Sequence, residues 1–447
     1  MLMPEPTVFN WEDSITADQA AQVIALAIKQ DLIGNRPALL LHNMTMLSQK
    51  IKHLHSYFPP QTLHALAIKS NPLVAVLQFA VAYGMGLEAA SIEEVELARA
   101  ANCPAERIVY DSPAKTRDEI AKALAWGVTI NADNFEELER IDNILAESPN
   151  TSSLIGLRIN PQIGHGSISI LSVSGQYSKF GVPITERRAE ITAAFLRFTW
   201  LRGLHMHIGS QGIVKEQIAE ATALIFQLRD EIHAKLGEAR IISIDIGGGL
   251  PWRYRPDEPV TTPQDLAKIL AKSVPQAWQD NIRLVTEYGR AIQAGCGFAA
   301  SRVEYLKTDS VRRTAVIHFG ADLMMRKVYH PNDWHHQISV LDCDANLKTG
   351  NEELHTIVGP LCFGGDILAE NVKLPRIEEG DWIVLHDTGA YTLSLWSRHC
   401  NRGLPPVLGY ITEPLQLNVL FPGETSKDIV RFWSNPDLKT ASREIKL

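Results

Sequence analysis

The chain of 447 residues is too long for one ordinary hydrophobic core, so two domains or a large barrel with an addition are expected. Its 45% hydrophobic and 21% charged residues are typical of a globular protein, and a net charge of -8 argues against a nucleic-acid or anionic membrane partner. The sequence has neither an apolar run long enough to span a membrane nor the basic, apolar start of a signal peptide.

The cysteines predict a reducing environment. They are scattered, odd in number and form no CxxC pair, so neither a disulfide framework nor a zinc knuckle is expected. This pattern, together with the acidic N-terminus, predicts a cytoplasmic protein with free thiols. The five cysteines are Cys103, Cys296, Cys343, Cys362 and Cys400.

The N-terminal segment, residues 1–36, is expected to contain one helix and to pack with a β-rich domain further along the chain. Thr16-Ala17-Asp18 precedes apolar residues at helical spacing, which is the pattern of a capped helix. A short apolar strand is predicted at 37–42, and a helix at 45–58 that Pro59 ends.

Short apolar strands then alternate with helical patterns through residues 37–298. This alternation predicts an α/β fold with a parallel sheet, most simply closed as a (β/α)8 TIM barrel. An open doubly wound sheet is the alternative, because strand order cannot be read from periodicity. The eight predicted strands are 64–69, 85–90, 107–111, 127–131, 155–160, 202–208, 241–247 and 283–288.

The remaining residues, 299–447, show a different pattern. Short runs rich in Val, Ile and Thr alternate with Gly, Pro, Asn and Asp, which predicts a C-terminal all-β domain, a barrel or a sandwich. Residues 344–353 are expected to form an exposed loop. The predicted strands are 315–319, 337–342, 355–358, 382–385 and 416–419.

Polar side chains collect at the carboxyl ends of the predicted barrel strands, where barrel enzymes carry their active sites. Lys69 follows the apolar run His64–Ile68 and precedes an Asn71-Pro72 turn. Burial would disfavour its ammonium and lower its pKa, which suits an amine that does Schiff-base chemistry. The alternative is a strand-end lysine whose amine simply reaches water.

Three neighbouring strand ends carry groups that bind anions. Gly247-Gly248-Gly249 lets backbone N–H groups approach a phosphate closely, although a glycine run alone also fits a flexible loop. Arg290 follows the next strand and Ser210 the preceding one, and each adds a side-chain donor. The three strand ends together predict one phosphate site.

Glu287 and two histidines leave alternatives open. Glu287 either pairs with Arg290 or contacts a protonated ring nitrogen of a cofactor. His205 and His207 are expected on one face of a strand, where they could bind a metal, contact a flat cofactor or lie in the core. No third metal ligand is evident, so no metal is expected.

Seven short segments occur in the order of motifs from one known family. The segments are 67–71 (AIKSN), 178–181 (SKFG), 207–211 (HIGSQ), 247–249 (GGG), 287–290 (EYGR), 362–366 (CFGGD) and 389–391 (GAY). Over about residues 37–425 the chain resembles the fold-type III pyridoxal-phosphate decarboxylases, the group of diaminopimelate and ornithine decarboxylases with an alanine-racemase-like barrel.

The resemblance implies a cofactor, pyridoxal 5'-phosphate, and the decarboxylation of an amino acid. It implies that Lys69 holds the cofactor covalently, that His207 lies on its ring and that Cys362 protonates the carbanion left by carbon dioxide. It also implies a head-to-tail homodimer, in which the Cys362 segment of one subunit completes the other's site. The implied cofactor-binding residues are Lys69, Glu88, Arg158, His207, Ser210, Gly247, Gly248, Gly249, Glu287, Arg290 and Tyr391.

Two departures from the family pattern concern the motifs. In the segment 287–290, Tyr288 replaces the proline of the family motif EPGR. Phe363 stands where the family has an acidic residue that contacts the distal amino group of the substrate. Because a phenyl ring cannot pair with an ammonium in that way, meso-diaminopimelate, ornithine and lysine are not expected as the main substrates.

The other expected substrate-binding residues are Arg326, Tyr329 and Asp366. Arg326 resembles the arginine that binds a distal carboxylate in diaminopimelate decarboxylases. The tyrosine that follows this arginine in the family pattern corresponds to Tyr329, which lies one position nearer to the arginine here. Asp366 keeps the Cys-x-x-x-Asp spacing. With Phe363, these residues favour an amino-acid-type substrate that carries a distal acidic or neutral polar group.

Three other functions compete with decarboxylation. A pyridoxal-phosphate-dependent racemase would need a second base, which the sequence does not identify. A catalytically inactive, regulatory relative would be expected to lack Lys69 or Cys362, and both are present. A metal-dependent barrel hydrolase would use His205 and His207.

Overall fold

The structure, a computed structural model, describes residues 9–34, 36–163, 173–175, 177–279, 282–309 and 312–434. They divide into two units. The barrel unit comprises the residues up to Ser14, Met44–Cys296 and Asp387–Ser394; the β unit comprises Ile15–Asn43, Gly297–His386 and the residues from Leu395 onward. The domain bounds predicted from the sequence, 1–36, 37–298 and 299–447, stay a prediction.

The N-terminal helix and the first strand belong to the β unit. They are α1 (Ala17–Lys29) and β1 (Ala38–Asn43). Thr16 caps α1 as predicted: its hydroxyl accepts the Gln19 N–H, and the Gln19 side chain accepts the Thr16 N–H. The predicted helix therefore lies in the β unit, whereas the described residues up to Ser14 belong to the barrel unit.

Eight parallel strands of the barrel unit close into a ring, which confirms the (β/α)8 architecture. Their bounds are β2 (Leu63–Ala67), β3 (Gly86–Ala89), β4 (Ile108–Asp111), β5 (Thr129–Ala132), β6 (Ile155–Asn160), β8 (Leu201–His205), β9 (Ser243–Asp245) and β10 (Arg283–Thr286). The order around the ring is β5-β4-β3-β2-β10-β9-β8-β6, and β6 pairs back with β5. A two-residue strand, β7 (Val182–Pro183), pairs beside β6.

Helices follow the barrel strands, and several begin at side-chain caps. Ser91, Thr116 and Asn134 each accept an N–H of the first turn of the helix that they precede. The helices are α2 (Met44–Tyr57), α3 (Val74–Ala82), α4 (Ile92–Ala100), α5 (Arg117–Trp126), α6 (Phe135–Glu147), α7 (Ile184–Arg197), α8 (Lys215–Leu236), α9 (Pro263–Ser273), α10 (Gln276–Gln279) and α11 (Arg290–Gln293).

The side chains of the barrel strands change from apolar to polar along the barrel axis. Toward the amino ends of the strands, the side chains of Leu63, Ala65, Val109 and Val285 form a buried apolar cluster. At the carboxyl ends, polar residues become register partners: Arg158 stands opposite His205, which stands opposite Asp245. The apolar layer fixes the ring, and the polar layer supplies the groups of a site.

The β unit contains two sheets, which confirms the predicted all-β character. The first has the order β14-β17-β11-β1-β18-β19 and the second β12-β13-β15-β16, with bounds as follows. The strands are β11 (Gly297–Arg302), β12 (Tyr305–Thr308), β13 (Arg313–Val316), β14 (Ile338–Leu341), β15 (Glu352–Val358), β16 (Ile367–Pro375), β17 (Trp382–Leu385), β18 (Val407–Thr412) and β19 (Leu415–Phe421), and the helices are α12 (Met325–Tyr329) and α13 (Ser426–Trp433).

Two local expectations differ from this structure. The predicted loop 344–353 ends two residues early, because Glu352 and Glu353 already pair in β15. Strand β8 ends at His205, so the prediction that His207 lies in the same strand is wrong. Across the described residues, no helix is long and apolar enough to cross a bilayer.

Candidate active site

Lys69 lies just past the carboxyl end of β2. The strand ends at Ala67, and Lys69 occupies the 3₁₀ turn Ile68–Ser70 that follows. Its Nζ donates to both carboxylate oxygens of Glu88 in β3, over 2.5 and 2.6 Å. The Lys69 side chain is 41% exposed, whereas that of Glu88 is 1% exposed. The lysine is therefore accessible while it is paired with a buried carboxylate.

The pKa of Lys69 corrects a prediction from the sequence. Burial does act to lower this pKa, but the negative charges of Glu88 and Glu287, with Tyr391, outweigh it and raise the pKa above its usual value. The expectation of a lysine with a lowered pKa is therefore wrong in this structure. The sequence showed the apolar strand but not that a carboxylate of the neighbouring strand faces the amine.

Arg290 joins several residues that the sequence predicted separately. Its Nη1 donates to the Tyr254 hydroxyl over 3.0 Å, and its Nη2 donates to Ser210 Oγ over 3.3 Å. The guanidinium carbon lies 4.5 Å from the centre of the Tyr391 ring. Arg290 is only 3% exposed, so this buried cation is a strong anion-binding group.

The turn that carries Tyr391 is fixed to the turn that carries Lys69. The Tyr391 N–H donates to the Ser70 carbonyl over 2.7 Å, and Tyr391 has a φ of 56°. Gly289 packs on the same turn so closely that an added Cβ would lie 2.8 Å from Ser70 Cβ. The anion-binding cluster and Lys69 therefore share one small region of the barrel unit.

The glycine loop after β9 contacts His207. The Gly248 N–H donates to His207 Nδ1 over 2.9 Å, so Nδ1 is the acceptor and the proton of the neutral ring is on Nε2. Burial, with the charges of Arg158 and Lys69, lowers the pKa of His207 well below its usual value. His207 thus presents a neutral imidazole. The neighbouring glycines Gly247 and Gly249 have φ of 68° and 106°.

Glu287 is a buried carboxyl with one free acceptor atom. Its Oε1 lies 3.6 Å from His205 Nε2, and its Oε2 lies 3.8 Å from His207 Nδ1. Burial, followed by the charges of Asp111 and Asp245, raises the pKa of Glu287 well above its usual value. Within the described part of the chain, its Oε1 atom has no hydrogen-bond partner. Such an atom suits a polar group of a ligand.

The residues around Glu287 also bear on the metal alternative. The sequence considered His205 with His207, but the structure groups His205 with Asp111 and Glu287, whose possible ligand atoms lie within 4.8 Å of one another. Burial acts to raise the pKa of Asp111. The charge of His205 and hydrogen bonding with Glu287 outweigh burial, so the pKa of Asp111 lies below its usual value.

Arg158 is placed by the segment 178–181. Its guanidinium lies 4.5 Å from the centre of the Phe180 ring and its Nε 4.0 Å from Asp133 Oδ1. The Gly181 N–H donates to the same carboxylate oxygen over 3.1 Å. Asp133 therefore orders both Arg158 and the predicted motif.

The predicted substrate residues lie in the β unit. The rings of Tyr329 and Phe363 are stacked, with centroids 6.0 Å apart and planes at 7°. The guanidinium of Arg326, in α12, lies 4.9 Å from the centre of the Trp334 ring. Cys362, the predicted proton donor, is an exposed free thiol.

Asp366 has a different environment from Tyr329, Phe363, Arg326 and Cys362. Its Oδ1 accepts the Ala321 N–H over 2.7 Å and its Oδ2 accepts the Leu361 N–H over 2.8 Å. It is 3% exposed. These bonds tie the segment before Cys362 to a neighbouring loop, which indicates a positioning function.

Sequence reasoning missed three residues of the site. Asp111 ends β4 and Tyr254 lies beyond the glycine loop, while Asp133 follows β5. The position at a strand end was a usable signal for Asp111 and Asp133. No local signal marked Tyr254, whose contact with Arg290 depends on the course of the loop after β9.

These residues fit the parts of pyridoxal phosphate. Lys69 offers an amine that matches its aldehyde, and Arg290 with Ser210 offers hydrogen-bond donors that match its phosphate. The neutral imidazole of His207 suits its ring, and the free oxygen of Glu287 suits its ring nitrogen. The fold and the site thus define a barrel enzyme that uses pyridoxal phosphate.

Comparisons with known proteins give the family. The pyridoxal binding domain of the pyridoxal-dependent decarboxylases matches residues 44–294, more than half of the chain. The chain therefore belongs to the pyridoxal-dependent decarboxylase family. Diaminopimelate decarboxylase of Pseudomonas aeruginosa is 31% identical over 345 residues, 76% of this chain and 79% of that protein. The Aquifex aeolicus enzyme is 28% identical over 367 residues, 81% of this chain and 84% of that protein.

A solved structure agrees with these relatives. A mutant of diaminopimelate decarboxylase from Helicobacter pylori complexed with L-lysine superposes with a TM-score of 0.81 at 25% identity, covering 91% of this chain and 98% of that one. The chain is thus a pyridoxal-phosphate-dependent carboxy-lyase that decarboxylates an amino acid, as the resemblance implied. The racemase, the inactive relative and the hydrolase are not favoured.

Proposed function

We propose that Lys69 is the residue that bonds pyridoxal phosphate and that Glu88 holds its amine at the strand ends. The paired hydrogen bonds from Lys69 Nζ to Glu88 carry this assignment. When bound, pyridoxal phosphate supplies an electron sink for the electrons of the bond to the departing carboxylate. Arg290, Ser210 and Tyr391 would bind the phosphate, with the N–H groups of the glycine loop.

Two groups would control protons. Glu287, whose pKa burial raises well above its usual value, would share a proton with the ring nitrogen. Cys362 would donate the proton of its Sγ to the α-carbon of the substrate after carbon dioxide leaves. His207 would lie on the ring, since a neutral imidazole adds no charge that opposes the protonated nitrogen.

The substrate proposal rests on the Tyr329–Phe363 stack. Phe363 directly follows Cys362 in the sequence, its ring stacks on that of Tyr329, and Tyr329 is 59% exposed. The relatives are named diaminopimelate decarboxylases, but this surface offers aromatic rings where pairing with a distal ammonium would need an acid. We infer a substrate with a distal acidic or neutral polar group, near Arg326.

A panel experiment tests this substrate. Holoenzyme is incubated with amino acids and amino-acid conjugates, meso-diaminopimelate included, and the mass loss of one carbon dioxide is followed. We expect a substrate without a distal ammonium to react fastest. Phe363→Glu should gain activity on meso-diaminopimelate, and Phe363→Leu, which removes the stack without adding a charge, should not.

The substrate proposal is wrong if the unaltered enzyme releases carbon dioxide from meso-diaminopimelate as fast as from any other compound and Phe363→Glu does no better. A failure of every compound to react would instead count against the site assignment, because the family activity would then be missing.

We also propose a cytoplasmic homodimer with shared active sites. The free thiols support a reducing compartment. The family resemblance supports the dimer, in which the Cys362 segment of one subunit reaches the Lys69 site of the other.

A further inference from the structure

Two exposed cysteines of the β unit are neighbours. The backbone N–H of Cys362 donates to Cys400 Sγ over 3.5 Å, and both residues are exposed free thiols. The Cys362 sulfur is joined to that same nitrogen through Cα and Cβ. Rotation about the Cα–Cβ bond of Cys362 therefore changes the distance between the two sulfur atoms.

The turn that carries Cys400 is held against the Cys362 segment by a second contact. The His399 ring meets the Phe363 ring edge-on, with centroids 6.1 Å apart. Cys400 itself has a φ of 58°, a left-handed conformation that residues other than glycine seldom adopt. Asn401 Oδ1, in the same turn, accepts a hydrogen bond from Trp433 Nε1 over 2.7 Å. These two contacts hold the turn in place.

We propose that Cys362 and Cys400 form a reversible disulfide that switches the enzyme off. The proposal rests on the proposed function, in which the Cys362 thiol donates a proton to the substrate. In the disulfide, Cys362 Sγ carries no proton to donate. Reduction by a dithiol restores both thiols and, with them, activity.

A peroxide is the oxidant class that balances the reaction. One thiolate attacks the peroxide, the O–O bond breaks, and the sulfur becomes a sulfenic acid as water leaves. The second thiolate attacks that sulfur, the S–O bond breaks, and the disulfide forms with loss of a second water. The two thiols together lose two electrons and two protons, and hydrogen peroxide is reduced to two molecules of water.

The remaining cysteines make the pair selective. Cys103 and Cys296 are buried, and burial raises their pKa to about 12 and about 11, which disfavours the reactive thiolate. Cys343 is the third exposed cysteine, and it supplies a matched control. The Cys343 thiol is exposed, as those of Cys362 and Cys400 are, but it has no predicted function in catalysis.

The test oxidises holoenzyme with hydrogen peroxide and reads two quantities. Peptide mass mapping should find Cys362 and Cys400 linked, and decarboxylase activity should fall at least tenfold and return with dithiothreitol. Cys400→Ser should have ordinary activity before oxidation and should form no linked peptide. Because its Cys362 sulfenic acid has no partner thiol, a second equivalent of peroxide should oxidise it to the sulfinic acid, and dithiothreitol should then not restore the lost activity. Cys343→Ser should behave as the unaltered protein does.

The two readouts separate this proposal from the proposed function. Absence of the Cys362–Cys400 peptide from oxidised protein overturns the disulfide. A linked peptide with undiminished activity would show that the disulfide forms but that Cys362 is not the proton donor, which overturns the switch. Circular dichroism of Cys400→Ser checks that the variant is folded.

Discussion

Arg290 shows how a single side chain can organise an anion site. Its two terminal nitrogens donate to hydroxyls on different loops, those of Ser210 and Tyr254, while its guanidinium carbon lies over the Tyr391 ring. A lysine has one compact ammonium and cannot make this fork and this stack together. The loss of one charge-assisted hydrogen bond costs about 1.5–3 kcal/mol.

We therefore expect Arg290→Lys to weaken pyridoxal phosphate binding by about tenfold to a hundredfold. The measurement is the cofactor dissociation constant by fluorescence titration of apoenzyme. Arg197→Lys is the matched control, because this exposed arginine binds Glu139 on the surface. An unchanged dissociation constant for Arg290→Lys would exclude Arg290 from the phosphate site.

We expect His64 to make the free energy of unfolding depend on pH. Burial, with the nearby charge of His55, lowers the pKa of His64 to about 3, and its Nδ1 is hydrogen-bonded to Thr286 Oγ1 at 2.7 Å. A lowered folded-state pKa means that the unfolded chain binds the proton more tightly. The stability contributed by neutral His64 is thus present above pH 6.5 and is lost as the pH falls toward 3.

His64→Gln removes this titration. Relative to the variant, the unaltered protein should lose about 2 kcal/mol of unfolding free energy between pH 7.5 and pH 5. Urea unfolding at the two pH values measures the difference, and His330→Gln, at an exposed histidine, is the control. An equal pH dependence in His64→Gln and the unaltered protein would contradict the account.

At the residue scale, the sequence predicted positions better than protonation. Lys69, Ser210 and Arg290 could be grouped because each follows a neighbouring barrel strand. The pKa of Lys69 could not be predicted, since it depends on how far Glu88 and Glu287 lie from the amine. Tyr254 was missed because only the folded loop brings its hydroxyl to Arg290.

At the scale of elements, the glycine loop after β9 has little space for a side chain. A Cβ on Gly248 would lie 2.6 Å from the Glu287 carbonyl oxygen and 3.1 Å from His207 Cε1. The loop must then move away from both residues. This movement would lengthen the hydrogen bond from the Gly248 N–H to His207.

We expect Gly248→Ala to weaken cofactor binding by about tenfold or more, because overpacking of this kind costs roughly 1–3 kcal/mol. Its unfolding should remain cooperative. Gly175→Ala, where an added Cβ meets nothing within 4 Å, is the matched control. Titration of both apoenzymes with cofactor decides the matter: equal affinities would show that the loop does not contact the cofactor.

The elements themselves followed from the sequence with unequal success. All eight barrel strands were predicted, because short apolar runs between capped helices are distinctive. Strands β11, β12, β16 and β18 of the β unit were missed. The exposed face of β16 carries charged residues such as Glu370 and Lys373, so its sequence lacks the apolar run that marks a buried strand.

At the scale of the whole molecule, shared active sites would have a direct kinetic signature. Lys69→Ala and Cys362→Ser should each be inactive alone. If the Cys362 segment serves the partner's site, one of the two sites in a mixed dimer contains both native residues. After free exchange in an equal mixture, about a quarter of all sites should then be native.

The mixture should accordingly recover about a quarter of the native carbon dioxide release. Native mass spectrometry establishes that subunits have exchanged. Mixed dimers that remain inactive would show that Lys69 and Cys362 do not act together across subunits. A chain that stays monomeric would exclude the shared site altogether.

The assignment of Lys69 can be measured directly. Sodium borohydride fixes pyridoxal phosphate to the lysine that holds it, and peptide mass mapping then identifies that residue. Among the residues that the structure describes, two buried lysines compete with Lys69: Lys50, 0% exposed, and Lys115, 3% exposed. We predict the pyridoxyl group on Lys69. Its recovery on Lys50 or Lys115 would contradict the central claim that the cofactor is held at the carboxyl end of β2.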